Sequence, residues 1–274
     1  MHVTIPGEGG VDFLQRATLP RTYRTLQSIE ILRSTLAGGV TTVRDLGGAD
    51  IGLKMAIEDG LIEGPRMQIA ISLIGITGGH GDQSFASGLD IAPQIEPLMV
   101  SAVADGEEEC RKMTRRLLRA GADVIKIAST GGVWSPRDQP DHEGLSEAET
   151  RAVVEEARRH GRKKVATDAQ GRDGIANAVR AGVASVEHGY QIDLATVELM
   201  IQKGTYLVPT LATATTKPDK DKAPPYAYEK KLQWMAIARE RIPPAIEAGV
   251  KVAMGTDAGI ARHGHNLLEL APAG

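Results

Sequence analysis

The feature that most constrains this chain is a short phrase that recurs along it: an alanine, a glycine and then apolar residues. The phrase stands at 120–124, 181–183 and 248–250. Glycine commonly ends a helix, and a short β-branched run after it is typical of a buried strand. Repetition of helix, glycine and buried strand predicts an α/β fold with a parallel sheet.

Seven short runs rich in β-branched residues are predicted as strands, with helical patterns between them. The strands are predicted at 39–45, 67–74, 122–128, 164–168, 185–188, 206–209 and 250–257. The helices are predicted at about 23–37, 107–120, 146–160, 173–181, 194–203 and 228–248. Residues 1–4 are interpreted as the tail of an eighth strand.

Eight strands with helices between them favour a closed (β/α)8 TIM-type barrel over an open doubly wound sheet. The length of 274 residues suits one such barrel, which typically needs about 250 residues. We therefore expect a single domain over 1–274. The first strand lacks its beginning and only residues 260–274 follow the last one, so we expect a barrel truncated at both ends. Two long segments, at 75–100 and 213–228, are interpreted as lids or inserted loops, with disorder as the alternative.

Composition and charge argue against several classes of protein. The net charge is −3, and no basic cluster suggests nucleic-acid binding. No apolar run reaches the ~20 residues of a membrane helix, and the N-terminus lacks the features of a signal peptide. We therefore expect a soluble protein, with the cytoplasm favoured. The single cysteine, Cys110, excludes an intrachain disulfide and a cysteine zinc site.

Polar side chains stand at the predicted strand ends, where barrel active sites lie. Lys126 lies within an apolar run, so it either pairs with a carboxylate or is modified, because a bare buried cation is costly. His188 is either functional or a hydrogen-bonded structural residue. Asp257 is either functional or the cap of a following helix. The combination on successive strands, rather than any one residue, favours function.

The chain resembles the amidohydrolase superfamily, in particular its imidazolonepropionase-like and Xaa-Pro dipeptidase-like branch. The stretches that carry the resemblance are 41–48 (TTVRDLGG), 76–82 (ITGGHGD), 124–127 (VIKI), 186–189 (VEHG) and 255–259 (GTDAG). Together they span most of the chain. The resemblance covers the barrel portion only, because segments that build a flanking β-sandwich in that family are absent here.

The resemblance implies a zinc centre of one or two ions at the strand ends. The metal positions it assigns are His2, Lys126, Asp168, His188 and Asp257. It also implies that Lys126 reacts with CO2 to form a carbamate that bridges the metal ions. Two positions depart from the family pattern, since Thr4 and Asp168 stand where the family has histidines. Asp is a workable zinc ligand and Thr is a poor one.

The implied reaction is hydrolysis of an amide or peptide C–N bond by metal-bound hydroxide, with a dipeptide or an N-acyl amino acid as substrate. Asp257 is the expected general base and then acid. His80 is expected to polarise the carbonyl or to contact the substrate, the alternative being a loop-ordering role. Tyr190 is a candidate for binding a substrate carboxylate, the alternative being packing.

Two other functions remain open from the sequence. One is a catalytically impaired or inactive barrel relative, which Thr4 and Asp168 favour. The other is a lactonase or phosphotriesterase on the same scaffold, because a fold does not determine a substrate. If a closing helix is missing, a second copy of the chain could cover the exposed barrel surface, so a homo-oligomer is a further hypothesis.

Overall fold

The computed structural model describes residues 1–7, 13–221 and 223–270. Its strands are β1 Thr42–Asp45, β2 Arg66–Ile69, β3 Leu73–Ile74, β4 Val124–Ala128, β5 Lys164–Ala169, β6 Ser185–His188, β7 Tyr206–Val208 and β8 Lys251–Val252. Its helices are α1 Phe13–Thr18, α2 Arg21–Ala37, α3 Ile51–Glu58, α4 Ala92–Ile95, α5 Glu107–Arg119, α6 Glu147–Arg159, α7 Arg172–Ala181, α8 Leu194–Lys203, α9 Leu211–Thr215, α10 Pro225–Glu247 and a 3-10 helix, Asn266–Leu270.

The predicted alternation of helices and parallel strands is confirmed. All six helices expected from the sequence are present, with ends within three residues of the predicted ones. Their ends follow the expected chemistry. Ser146 and Glu149 form a reciprocal capping box at the start of α6, and Gly182 ends α7 in the left-handed conformation with φ of 99°.

The strands form two parallel sheets, β1–β2 and β3–β4–β5–β6–β7–β8. In the larger sheet every residue of β4 is buried, as is typical of parallel strands covered on both faces. The register places Ala128 beside Asp168 and Ala169 beside His188. The carboxyl ends of β4, β5 and β6 therefore meet at one edge, which positions their polar side chains together.

Two predicted strands are wrong in extent: the run at 250–257 is a strand only over Lys251–Val252, and the run at 67–74 is broken. The run at 67–74 forms two strands, because Ile71 takes a left-handed φ of 72° and turns the chain between them. Its carbonyl accepts a hydrogen bond from the Gly48 amide at 2.8 Å. As a result β2 pairs with β1 while β3 pairs with β4, and an apolar run alone carries no sign of this break.

The predicted closed barrel is not found in the strand pairing of the described residues. β2 does not pair with β3, and β8 does not pair with β1. Residues 1–4 do not form the expected strand. They bridge the ends instead, since the His2 amide donates to the Ala258 carbonyl and the Leu46 amide donates to the Met1 carbonyl. The architecture is α/β with parallel sheets, consistent with a TIM-type barrel.

The core lies between the sheet and the helices that follow each strand. Ile125, Ile127, Val186 and Leu207 of the sheet are fully buried. They share one apolar cluster with helical side chains, among them Leu117, Val153, Ile175 and Met200. Within the described ranges, no helix has the combination of length and hydropathy that a bilayer crossing requires.

Candidate active site

The carboxyl ends of the strands surround a cavity of about 730 Å³. Most of the residues predicted for the site line it. They are His2, His80, Asp168, His188, Tyr190 and Asp257. Lys126 contacts Asp168 and so adjoins the same group. The structure thus brings together the residues that the sequence placed on separate strand ends.

Asp168 is the electrostatic centre of this group. Its Oδ2 lies 3.3 Å from Lys126 Nζ, 3.3 Å from His188 Nε2 and 4.0 Å from His80 Nε2. Burial raises the pKa of Asp168, but the charges of Lys126 and His188 outweigh it and hold the pKa well below its usual value. Lys126 is thus paired with a carboxylate, which is one of the two interpretations of its burial, and its modification stays a prediction.

The hydrogen bonds of Thr210 assign the tautomer of His188. Thr210 donates its only hydroxyl proton to the Pro209 carbonyl at 2.8 Å, so its oxygen can only accept from other groups. It accepts from His188 Nδ1 at 2.8 Å and from the Tyr190 hydroxyl at 3.0 Å. His188 therefore carries a proton on Nδ1, and its Nε2 faces Asp168.

His2 is oriented in the same way. Its Nδ1 lies 2.7 Å from the Gly47 carbonyl, which can only accept, so Nδ1 carries the proton. Its Nε2 then faces Asp257 Oδ1 at 3.5 Å.

His80 follows the same pattern through Ser135. The Ser135 hydroxyl donates to Asp138, and its oxygen accepts from His80 Nδ1 at 3.1 Å. Three imidazoles thus place Nδ1 against an accepting oxygen on the side away from the cavity and turn Nε2 towards a carboxylate. Partners of this kind orient histidines in metal sites.

Asp257 is held as a carboxylate. Burial raises its pKa, but the hydrogen bond from His2 and the charge of His188 outweigh burial and lower the pKa to about 2. Burial lowers the pKa of His188, and the Asp168 carboxylate more than offsets this, so the pKa of His188 is raised. Asp257 and His188 both adopt left-handed φ angles, 51° and 71°. Such conformations are uncommon for these residues and concentrate at functional sites.

The donor chemistry of this group fits a divalent cation. Two ligands of a tetrahedral zinc ion bound at about 2.0–2.1 Å stand ~3.3 Å apart, which matches the 3.3 Å between Asp168 Oδ2 and His188 Nε2. Asp168 Oδ1 is buried with no hydrogen-bond partner. The arrangement, however, consists of two pairs, Asp168–His188 and His2–Asp257. No group of three or more His, Cys, Asp or Glu in the described part of the chain is placed to hold a metal ion.

Comparison with known proteins gives the family. The model of the amidohydrolase family matches residues 27–271. This chain belongs to the amidohydrolase family. The resemblance inferred from the sequence motifs is therefore confirmed.

Several proteins similar to this amidohydrolase carry the names of hydrolases. Ochratoxinase from Aspergillus niger is 34% identical over 234 residues, which cover 81% of this chain and 48% of that protein. This chain thus spans about half the length of that relative. A solved Xaa-Pro dipeptidase with bound methionine in its active site has a TM-score of 0.87 and 32% identity, over 98% of this chain and 68% of that one. A prolidase complexed with N-methylphosphonate-L-proline has a TM-score of 0.87 and 33% identity, over 99% and 68% of the two chains.

Tyr190 of this amidohydrolase lies in the wall of the cavity, and its contact with a substrate carboxylate stays a prediction. It is 2% exposed, and its hydroxyl is bonded to Thr210. Burial raises the pKa of Tyr190 above its usual value. The residue thus orients Thr210, and through it His188, from the cavity wall.

Lys231 and Gln170 are among the cavity residues that the sequence analysis missed. Lys231, on α10, is 4% exposed and lines the cavity. Gln170, two residues after Asp168, also lines it, and its buried Oε1 has no partner among the described residues. A signal for Lys231 did exist, because it interrupts an otherwise apolar helical stripe at positions 227, 231, 234, 238 and 242.

Gly132 packs directly against the His80 ring. A Cβ atom added at Gly132 would lie 2.2 Å from His80 Nδ1. No side chain fits this gap, so glycine here allows the loop backbone to approach the imidazole and hold it in place.

Proposed function

We propose that this amidohydrolase cleaves an amide or peptide C–N bond in a metal-dependent reaction, with a dipeptide or N-acyl amino acid as its substrate. One observation carries the proposal: the buried carboxylate of Asp168, the half-buried carboxylate of Asp257 and the Nε2 atoms of three histidines face a single cavity at the strand ends. The names of the relatives, a Xaa-Pro dipeptidase, a prolidase and an ochratoxinase, support hydrolysis.

In this proposal the metal is zinc, held by Asp168, His188, His2 and Asp257, with Lys126 beside them as an amine or a carbamate. Bound there, zinc would polarise the substrate carbonyl and make a water molecule more acidic. Asp168 Oδ1, buried without a partner, supports a cation at this position.

The chain's own residues supply the proton transfers and the positioning. Asp257, a carboxylate at neutral pH, is suited to take a proton from water and return it to the leaving nitrogen. His80, with Nε2 turned into the cavity, contacts the substrate near its carbonyl. Lys126 and His188 hold Asp168 in its ionised state.

The test is metal content and hydrolysis in protein purified without chelators. We expect about one or two zinc ions per chain and turnover of some members of a dipeptide panel, with a lactone panel silent. Lys126→Ala is expected to lose the metal. Asp257→Asn is expected to lower kcat about 100-fold or more, whereas Asp59→Asn, at an exposed helix end, serves as the control and is expected to retain activity.

A non-catalytic barrel is the second candidate, and a specific observation favours it. Asp168 is already neutralised by Lys126 and His188, and the described residues form no three-membered ligand group. Absence of bound zinc, together with silence on both panels when zinc is added, would establish this candidate and exclude the hydrolase. Turnover of lactones alone would instead indicate the third function considered from the sequence.

A further inference from the structure

Lys231 is a buried cation on the wall of the cavity. It lies on α10, in the stripe formed by Ala227, Trp234 and Ala238, all of which are buried. Its side chain is 4% exposed, and it lines the same cavity as Asp257. A lysine in such a stripe has its amine carried inwards by the helix, away from bulk water.

The neighbouring lysine on α10, Lys230, in contrast has hydrogen-bond partners within the fold. Lys230 Nζ donates to the Ser135 carbonyl at 2.9 Å and to the Asp138 carbonyl. Lys231 has no such bond, and no carboxylate oxygen of the described residues lies within 4.0 Å of its Nζ. Asp257 acts on it only as a more distant charge.

A buried ammonium without a partner is unfavourable, so a counter-ion at this position stabilises it. Burial lowers the pKa of Lys231 to about 8, which leaves the cation in the majority at neutral pH. An ammonium has three donors and no acceptor. The group that complements it is therefore an anion brought by the ligand.

We propose that Lys231 is the anion-binding residue of the cavity and that it takes the carboxylate of the substrate. This inference rests on the proposed function for the nature of the substrate. The apolar side chains of Phe85 and Trp134 line the same cavity, so a carboxylate that carries a neighbouring aromatic or apolar group fits best. Lys231 acts here as a specificity-determining residue, because it binds the carboxylate and not the atoms of the amide bond that breaks.

The experiment measures binding rather than turnover, by isothermal titration calorimetry with two ligands of the same shape. The ligands are 3-phenylpropanoate, which carries the carboxylate, and 4-phenylbutan-2-one, which has a methyl ketone in its place, and neither contains a C–N bond that could be cleaved. We expect the native protein to prefer the acid by about 10- to 100-fold, the usual range for a hydrogen bond to a charged group. Lys231→Met should abolish the preference by weakening binding of the acid alone.

Two further variants make the result specific. Lys231→Arg keeps the charge and should keep a preference for the acid. Lys112→Met, at an exposed position of α5, should behave as the native protein does. Equal affinity of the native protein for both ligands, no binding of either, or a preference that survives in Lys231→Met would each overturn the proposal.

The outcome is separable from that of the proposed function. The protein could show a Lys231-dependent preference for the acid and yet hydrolyse nothing with added zinc. That result would support the anion site and exclude the hydrolase. Hydrolysis of N-acyl amino acids by a protein with no such preference would support the hydrolase and exclude the anion site.

Discussion

At the scale of single residues, two buried lysines lie near the same cavity but differ in their ion-pair partners. Lys126 is paired with Asp168 at 3.3 Å, whereas Lys231 has no ion-pair partner among the described residues. Removing one member of a buried pair leaves an uncompensated charge, while removing an unpaired buried charge relieves a cost.

We therefore expect the same substitution to act with opposite sign at the two positions. Lys126→Met should lower the free energy of unfolding by about 3 kcal/mol. Lys231→Met should raise it by about 1 kcal/mol. Urea denaturation followed by circular dichroism measures both, with Lys112→Met as the reference. Destabilisation by Lys231→Met of the same size as that by Lys126→Met would show that Lys231 has a partner in the folded protein.

Asp257 links stability to pH. Its pKa of about 2 in the folded state lies below the 3.8 of the free side chain, so folding favours the ionised form. This contribution is fully present above about pH 4 and is lost as the pH falls towards ~2. The shift corresponds to about 2 kcal/mol.

We expect urea midpoints of the native protein to fall across that acidic interval, and Asp257→Asn to show a shallower fall. The remaining slope in that variant reports Asp168 together with other carboxylates whose pKa is lowered, among them Glu156 and Asp193. Asp59→Asn should retain the native slope. Identical slopes for the native protein and Asp257→Asn would contradict the pairing of Asp257 with His2 and His188.

At the scale of elements, α10 supports the loop that carries the partners of His80. Lys230 donates to the carbonyls of Ser135 and Asp138, and Ser135 accepts from His80. The helix thus helps to position the His80 imidazole indirectly, through the loop at residues 131–144.

Lys230→Met should release this loop. We expect faster amide hydrogen exchange in 131–144, because the loop loses two hydrogen bonds to the helix, with little change in β4–β6. Mass spectrometry of peptic fragments measures this. Lys203→Met, which removes a single exposed bond from Lys203 to the Arg180 carbonyl, is the matched control. Unchanged exchange in 131–144 would mean that the loop is held by other contacts.

At the scale of the whole molecule, the N-terminal segment joins the two ends of the strand arrangement. Asp45, fully buried at the end of β1, accepts from the Val3 amide at 2.7 Å and from the amides of Gly47 and Ala49 at 3.0 and 3.2 Å. One carboxylate therefore ties residues 1–5 to the turn that follows β1.

Asp45→Asn replaces one acceptor oxygen with an amide group that donates, so one backbone N–H loses its partner. We expect a loss of about 2 kcal/mol, hence a melting temperature lower by ~4–8 °C. Differential scanning calorimetry measures the shift, with Asp59→Asn as the control. An unchanged melting temperature would show that the N-terminal segment adds nothing to the stability of the sheet.

Much of this architecture follows from local sequence rules. Glycine stops and β-branched runs predict the helices and most strands, and the strand-end rule predicts that His188, Asp168 and Asp257 lie at one edge of the sheet. The break at Ile71 could not be foreseen, because a β-branched residue carries no preference for left-handed φ. Nor could the partners of His80, since Ser135 and Asp138 lie in a loop whose path depends on Lys230, far along the chain.

Gly132 illustrates how a cavity imposes constraints beyond the residues that do its chemistry. It has no functional group, yet any side chain there would collide with the His80 ring. In a saturation-mutagenesis map, this position should be as intolerant as His80 itself. A glycine packed against an imidazole in this way should vary little in sequence, even though it takes no part in binding or catalysis.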